Sequence, residues 1–207
     1  MPPCLIMAGG RGTRLGSITK YKPKPAIKIQ GKPFIYFLLD WLKSNEISEL
    51  IFFTSYKKKF LEKIVDNYKN RKHFKIQFIN DKKRKGTFNA IYENINKLNG
   101  NYIYTNADEI NLTNLKKNYR KFVKKKHKIS MFFYKNNKGK LHTGLKIFKS
   151  EIFVKTNKEF NKIEDYLDFC IKKKKIKLHQ IYVKEIPIRI DTPNYIRIAN
   201  KKFSEKK

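Results

Sequence analysis

The run Gly9-Gly10-Arg11-Gly12-Thr13-Arg14 directly follows the apolar stretch Leu5-Ile6-Met7-Ala8 and leads to Lys22-Pro23-Lys24-Pro25. Backbone freedom and positive charge are thus combined in one short loop. Glycine tolerates the dihedrals that turn successive amides one way, and it lets a ligand come close to the main chain. Arg11 and Arg14 add charge and forked donors that suit phosphate oxygens. A loop of this make-up can hold a polyphosphate. Spacing excludes two commoner phosphate loops. A P-loop carries Lys-Ser or Lys-Thr directly after its second glycine, and Thr13-Arg14 follows Gly12 here. A dinucleotide fingerprint needs a third glycine opening a helix, whereas Arg14-Leu15 stands near that place and the next helix is expected only around Pro33.

What remains resembles the signature of the sugar-1-phosphate nucleotidylyltransferases, Gly-Gly-x-Gly-Thr-Arg-Leu followed by Pro-Lys-Pro. The likeness is greatest to the short single-domain members that activate heptose 1-phosphate or mannose 1-phosphate with a guanylyl group. The resemblance implies an α/β fold, Rossmann-like and three-layered, with a mostly parallel mixed sheet and a small β-hairpin region for the acceptor. It implies one domain over 1–207, with the NTP bound by about 1–110 and the acceptor by about 111–200. Ala8, Gly9, Gly10, Arg11, Gly12 and Thr13 would cradle the triphosphate together with Arg14. Lys24 would bridge the α-phosphate and the incoming phosphate, so Arg14 and Lys24 are the expected catalytic pair. Gly86-Thr87 stands where the family lays the nucleobase along backbone; Phe88-Asn89-Ala90 then replaces the usual small residues, which predicts an altered base pocket. The residues' own reading of Gly86-Thr87 is a helix N-terminal turn capped by the threonine. GTP is favoured as the NTP from overall resemblance only.

Nucleotidyl transfer needs a carboxylate-held metal, Mg²⁺, to neutralise the triphosphate as its α-phosphorus is attacked. Asp108 ends the strand-like Tyr102–Thr105, at the sheet edge where α/β folds bind ligands. Asp191 ends Ile186-Pro187-Ile188-Arg189-Ile190 and precedes Thr192-Pro193. Family members carry a Gly-Asp pair at the first place and an Asp-Ile-Gly-Thr-Pro-like run, or a shortened form of it, at the second. Read alone, each aspartate is also a helix N-cap candidate. His142-Thr143-Gly144 occupies the place of the family's sugar-contacting Asn-Ala-Gly, with the glycine kept; His142 and Gly144 are acceptor candidates on that ground, as is Glu164 at the head of a helix. Relatives carry a Glu-Lys pair whose lysine meets the sugar phosphate. This chain has instead a short hairpin between Asp108 and His142, which leaves Lys135, Lys138 and Lys140 as substitutes. The acceptor is therefore open: a sugar 1-phosphate first, with phosphocholine, a phosphonate or cobinamide phosphate as non-sugar alternatives.

The elements that must hold these residues alternate between strand-like and helix-like, which predicts an α/β domain around a largely parallel sheet. Residues 3–8 and Leu50–Thr54 read as buried strands, and Phe74–Ile79 alternates with period two. Helices are expected from Pro33 through Leu42, over 57–70 with Phe60, Leu61, Ile64 and Val65 inward, over Asn89–Leu98, over Leu112 to about Lys126 and over Ile163–Ile171. A strand over 128–134 should pair through the turn Asn136-Asn137-Lys138-Gly139 with Gly144–Phe148. Ile176–Ile190 reads as one long extended stretch before a last helix after Pro193.

The chain has 207 residues and a net charge of +32. That length suits one well-buried domain, and the charge comes almost entirely from lysines spread along the chain. Such spread suits solvated faces; a basic protein binding nucleic acid is the competing reading. Cys4 and Cys170 lie far apart in apolar contexts, which predicts neither a disulfide framework nor structural zinc. No apolar run reaches membrane-spanning length and no signal peptide precedes the first strand, so a cytoplasmic protein is expected, without a membrane or specific nucleic-acid partner. A homodimer is left open.

Overall fold

The computed structural model describes residues 1–81, 85–94, 98–136, 139–154, 156 and 158–205. A seven-stranded sheet runs in the order β10-β8-β9-β6-β1-β4-β5. Its strands are β1 (Cys4–Met7), β4 (Glu49–Thr54), β5 (Lys75–Asn80), β6 (Asn101–Asn106), β8 (Ile129–Asn136), β9 (Gly139–Lys149) and β10 (Leu178–Tyr182). All neighbours pair parallel except β9, which runs antiparallel to both β6 and β8. Asn136 of β8 pairs with Gly139 of β9, so strands this close in sequence can only run antiparallel; the turn expected between them includes residues 137 and 138, outside the described ones. Two small ribbons complete the strands, β2 (Lys28–Ile29) with β3 (Lys32–Pro33) and β7 (Glu109–Ile110) with β11 (Ile188–Arg189).

Helices cover both faces of the sheet, which is why its central strands read as continuous apolar runs. In β1, Cys4 and Ile6 pack into one core with α1 (Phe34–Ser44), α2 (Lys58–Asp66), α4 (Leu115–Lys124) and Ala199 of α6 (Pro193–Ser204). Leu5, between them, faces the second core under α3 (Thr87–Tyr92) and α5 (Ile163–Lys173). One strand thus splits its side chains between two layers, as period-two pleating requires. The expected three-layer α/β architecture with a mostly parallel mixed sheet is the observed one.

Several local expectations shift. Pro33 ends β3 and precedes α1 rather than opening it. Phe60 is 43% exposed while Leu61 and Val65 are fully buried, so the apolar stripe of α2 is narrower than its sequence suggests. The α4 helix starts at Leu115, where the Asn114 side chain accepts from the Lys117 amide. The α3 helix ends at Tyr92, and the rest of the expected helix to Leu98 includes residues 95–97, outside the described ones. The stretch 176–190 divides into β10 and β11, which belong to different sheets. Cys4 and Cys170 are buried free thiols, and burial pushes both thiols up. Among the described residues, no helix is long and apolar enough to cross a membrane.

Candidate active site

Strand order reverses direction at β1, with β4 on one side and β6 on the other, and the crevice beyond the carboxyl end of such a strand is where open α/β sheets take ligands. The glycine loop lies there. The Ala8 amide donates to the Phe53 carbonyl at 2.9 Å, which continues the sheet one step before the chain leaves it. The amides of Gly9, Gly10 and Arg11 donate to no backbone carbonyl among the described residues. A cavity of about 450 Å³ opens in front of them, walled by Met7 to Arg11, Lys24, Phe53, Asp81, Gly86, Thr87, Ala90 and Asn106 to Asp108. A second cavity of about 290 Å³ adjoins it, lined by Gly12, Thr13, Arg14, Lys24, Asp108 and Asp191. Lys24 and Asp108 belong to both, so the fold gathers every sequence-predicted NTP and metal residue around one shared corner.

Gly12 makes that corner possible. Its φ is +70°, and a Cβ there would stand 3.1 and 3.2 Å from the Lys24 Cγ and Cε and 3.0 Å from the Thr19 methyl. The bare backbone lets the lysine stem pass over it to ion-pair with Asp108. Thr19, itself buried, donates from its hydroxyl to the Gly12 carbonyl at 3.0 Å and holds the loop down.

Asp108 and Asp191 meet by a non-local route. The β7 and β11 strands pair antiparallel, with Glu109 opposite Arg189, and the Ile190 amide donates to the Asp108 carbonyl at 3.2 Å. Neither aspartate caps a helix. Asp108 leads into β7, and in α6 the cap is Thr192, whose hydroxyl accepts from the Tyr195 amide at 3.3 Å. Asp191 Oδ2 lies 3.4 Å from Arg14 Nη1; Arg14 is 76% exposed, so this pair contributes only about 0–1 kcal/mol. Asp191 Oδ1 is buried without a hydrogen-bond partner among the described residues. An orphaned carboxylate oxygen beside a second carboxylate fits a divalent cation. No group of three metal-ligating side chains occurs among the described residues. A cation held by two carboxylates would leave its other positions to phosphates and water.

Sequence reasoning missed the network behind this pair. Glu109 is 5% exposed. It accepts from Arg189 Nε at 2.9 Å, the Asn111 amide group at 2.9 Å and the Gly144 backbone amide at 2.7 Å. One carboxylate thus fastens β11, β7 and β9 together. The available signal was the charge of Arg189 between Ile188 and Ile190, since a buried charge needs a partner.

On the acceptor side, His142 and Gly144 both lie within β9, which begins at Gly139 rather than at Gly144. His142 is exposed, while Gly144 is buried, and a Cβ on Gly144 would meet Asn106 Nδ2 at 2.6 Å. Lys140 donates to Gln180 of β10 at 2.5 Å and Lys135 lies over the Tyr182 ring, so both turn toward the sheet's β10 edge and away from the cavity. Lys138 is outside the described residues. The unforeseen lysine is Lys146 of β9, fully buried, with its ammonium 2.6 Å from Glu164 Oε1. Burial by itself would push the Glu164 carboxyl up, but the ammonium outweighs it and holds the group below its ordinary value.

Gly86 and Thr87 line the large cavity, and both also serve the fold. Gly86 has φ +96°, and a Cβ there would stand 2.0 Å from the Asn161 carbonyl oxygen. The Thr87 hydroxyl accepts from the Ile163 amide at 2.9 Å, so it caps the start of α5 rather than its own helix. Phe88 is 2% exposed and packs on Tyr166 in the second core, leaving Ala90 as the small wall residue. Of the run Phe88-Asn89-Ala90, only Ala90 lines the cavity, and Phe88 packs away from it in the second core.

Compared with known proteins, residues 4–145 match the sequence family described as nucleotidyl transferase. A D-glycero-alpha-D-manno-heptose 1-phosphate guanylyltransferase from Campylobacter jejuni is 37% identical over 121 residues, covering 56% of this chain and 53% of that protein. The bifunctional protein GlmU of Methanococcus maripaludis is 35% identical over 106 residues, or 51% of this chain and 24% of the relative. The matches thus span about a quarter to a half of these curated relatives' length. Among solved structures, HddC from Yersinia pseudotuberculosis complexed with GMP-PN superposes with a TM-score of 0.79 at 23% identity, covering 98% of this chain and 100% of that one. At that identity the superposition bears on the fold alone.

Proposed function

The chain belongs to the nucleotidyl transferase family, and from that premise we propose that it joins an NTP to a sugar 1-phosphate, giving an NDP-sugar and pyrophosphate. The observation that carries this reading is the shared corner, where Lys24, Asp108 and Asp191 meet between a large cavity and a small, strongly polar one. The free amides of Gly9 to Arg11, with Gly12, Thr13 and Arg14, would hold the β- and γ-phosphates. The base would lie in the large cavity against Gly86-Thr87. An oxygen of the acceptor phosphate forms the new bond to the α-phosphorus, and the bond to the β-phosphate bridging oxygen breaks on the opposite side. The acceptor phosphate is already ionised at neutral pH, so no general base is required, and positioning with charge neutralisation supplies the rate. Lys24, which lines both cavities, would contact both phosphates and stabilise the charge that builds between them. Mg²⁺, when bound by Asp108 and Asp191, would supply further neutralisation of the triphosphate. Guanine is the favoured base, because the curated heptose and mannose relatives carry guanylyltransferase names. The product would feed cell-surface polysaccharide synthesis, and the enzyme would work in the cytoplasm, where NTPs are.

The test is a pyrophosphate-release screen of the four NTPs against heptose, mannose and glucosamine 1-phosphates, phosphocholine and a phosphonate. Release that requires Mg²⁺, GTP and one of the sugar phosphates is the expected result. Release with phosphocholine or the phosphonate alone would replace the acceptor class, and release with none of them would overturn the reading.

A further inference from the structure

Lys146 sits in the middle of β9 with no solvent exposure. Its ammonium has three protons and three acceptors: Glu164 Oε1 at 2.6 Å, the Gly144 carbonyl at 3.2 Å, and the face of the Tyr104 ring, 4.6 Å from its centroid. Desolvating an ammonium is costly, and an apolar side chain of similar length would fill the same space without that cost. The charge therefore invites an explanation beyond packing.

Its surroundings supply one. Glu164 retains 23% side-chain exposure although its partner has none. The residue before it, Ile163, is tied to Thr87, and the carbonyl that Lys146 grips belongs to Gly144, which packs on Asn106. Thr87 and Asn106 are both walls of the large cavity. The ion pair thus backs the cavity wall beside β6, on the side of β9. Asp81 stands on the opposite flank, at the end of β5, three strands from β6. With the triphosphate on the glycine loop and the base against Gly86-Thr87, the part of the cavity beside Asn106 and Gly144 is left for the second substrate.

Resting on the nucleotidyl-transfer reading, we propose that Lys146 is a positioning residue for the acceptor: it fixes the Glu164 carboxylate in one place and orientation, so that Glu164 accepts hydrogen bonds from sugar hydroxyls of the incoming phosphorylated sugar. The ammonium itself does not touch the sugar, being fully enclosed. Lys146 acts only through Glu164.

Steady-state kinetics with acceptor varied at saturating GTP and Mg²⁺ test this on the full chain. Lys146→Met should raise the acceptor KM about tenfold or more, the scale of a lost charged hydrogen bond, with the GTP KM nearly unchanged. Lys146→Arg, which keeps the charge, should recover part of the loss. Should Lys146→Met fail to fold, the double variant Lys146→Met/Glu164→Gln is compared with Glu164→Gln alone: the same raised acceptor KM in both is expected if Lys146 acts only through Glu164, and a further rise in the double variant overturns that. An acceptor KM at the wild-type value in the soluble variant overturns the positioning role and leaves nucleotidyl transfer standing. Absence of acceptor-dependent pyrophosphate release in the wild type overturns both.

Discussion

The glycine-loop side of the cavity and the β9 side are built by different means. On the first, the groups that face a ligand are main-chain amides and side chains held by short-range geometry. Gly12 opens a path for Lys24, Thr19 ties the loop to itself, and Ala8 hangs from β4. On the second, the polar groups are buried side chains paired across strands far apart in sequence, Glu109 with Arg189 and Lys146 with Glu164. The contrast has an energetic meaning. A loop of glycines and exposed arginines costs little to build and is paid for by its ligand, whereas buried ion pairs must be complete before any ligand arrives, because an unpaired buried charge is strongly destabilising. Damage on the first side should therefore appear mainly in turnover, and damage on the second mainly in stability.

The largest expected effect tests the loop side. Lys24→Ala should lower turnover at least about a hundredfold with much less change in NTP affinity, since its charge matters most as the transferring group gains negative charge. Single-turnover rates beside NTP titrations measure both. Asp108→Asn and Asp191→Asn should each remove Mg²⁺-dependent activity with the melting temperature nearly unchanged. A wild-type rate in Lys24→Ala would make that lysine structural and erase the contrast.

Glu109→Ala should do the opposite. It strands the Arg189 guanidinium and frees the Gly144 amide, at a cost of about 3 kcal/mol in denaturant unfolding. Weaker Mg²⁺ binding should accompany it, because β11 is what carries Asp191 to Asp108.

Two glycines sharpen the comparison further. Gly86→Ala forces a methyl to within 2.0 Å of the Asn161 carbonyl, at a positive φ, and should destabilise the fold by about 2 kcal/mol or more. Gly10→Ala meets nothing within 4 Å and should leave stability within about 0.5 kcal/mol while weakening NTP binding at the loop. Equal destabilisation by both would show that the loop is as integral to the core as the α3–α5 junction.

The smallest effect is a pH dependence. The Glu164 carboxyl is held below its unfolded value, against burial, by Lys146 and to a lesser degree by His142, so it binds protons less readily in the folded state. Its stabilising contribution should be complete above the ordinary glutamate range and fade as pH falls through the lowered folded value. In Lys146→Met burial is opposed only by the Glu164 backbone amide and His142, so the folded value should rise relative to the wild type and the loss of stability on acidification should shrink. Urea unfolding of both proteins between neutral pH and the carboxylate range reads the difference.

The sequence by itself determined the parts whose chemistry is local. The glycine run after an apolar strand and the alternation of strand-like and helical periods were enough for the loop and the parallel α/β class, because dihedral freedom, charge and burial period are properties of short stretches; Lys24, Asp108 and Asp191 were singled out through the family resemblance and the chemistry of nucleotidyl transfer. Tertiary structure decided the rest. Asp191 reaches Asp108 through a two-residue ribbon, too short to give a periodic signal. Thr87 and Gly86 answer to Ile163 and Asn161, some seventy-five positions further along the chain. Lys146 reads in sequence as one more of many lysines, and only the pairing of β9 with β6 and the packing of α5 place it in the core beside Glu164. A charge's worth depends on what surrounds it, and that surrounding is assembled from segments that no single stretch of sequence contains.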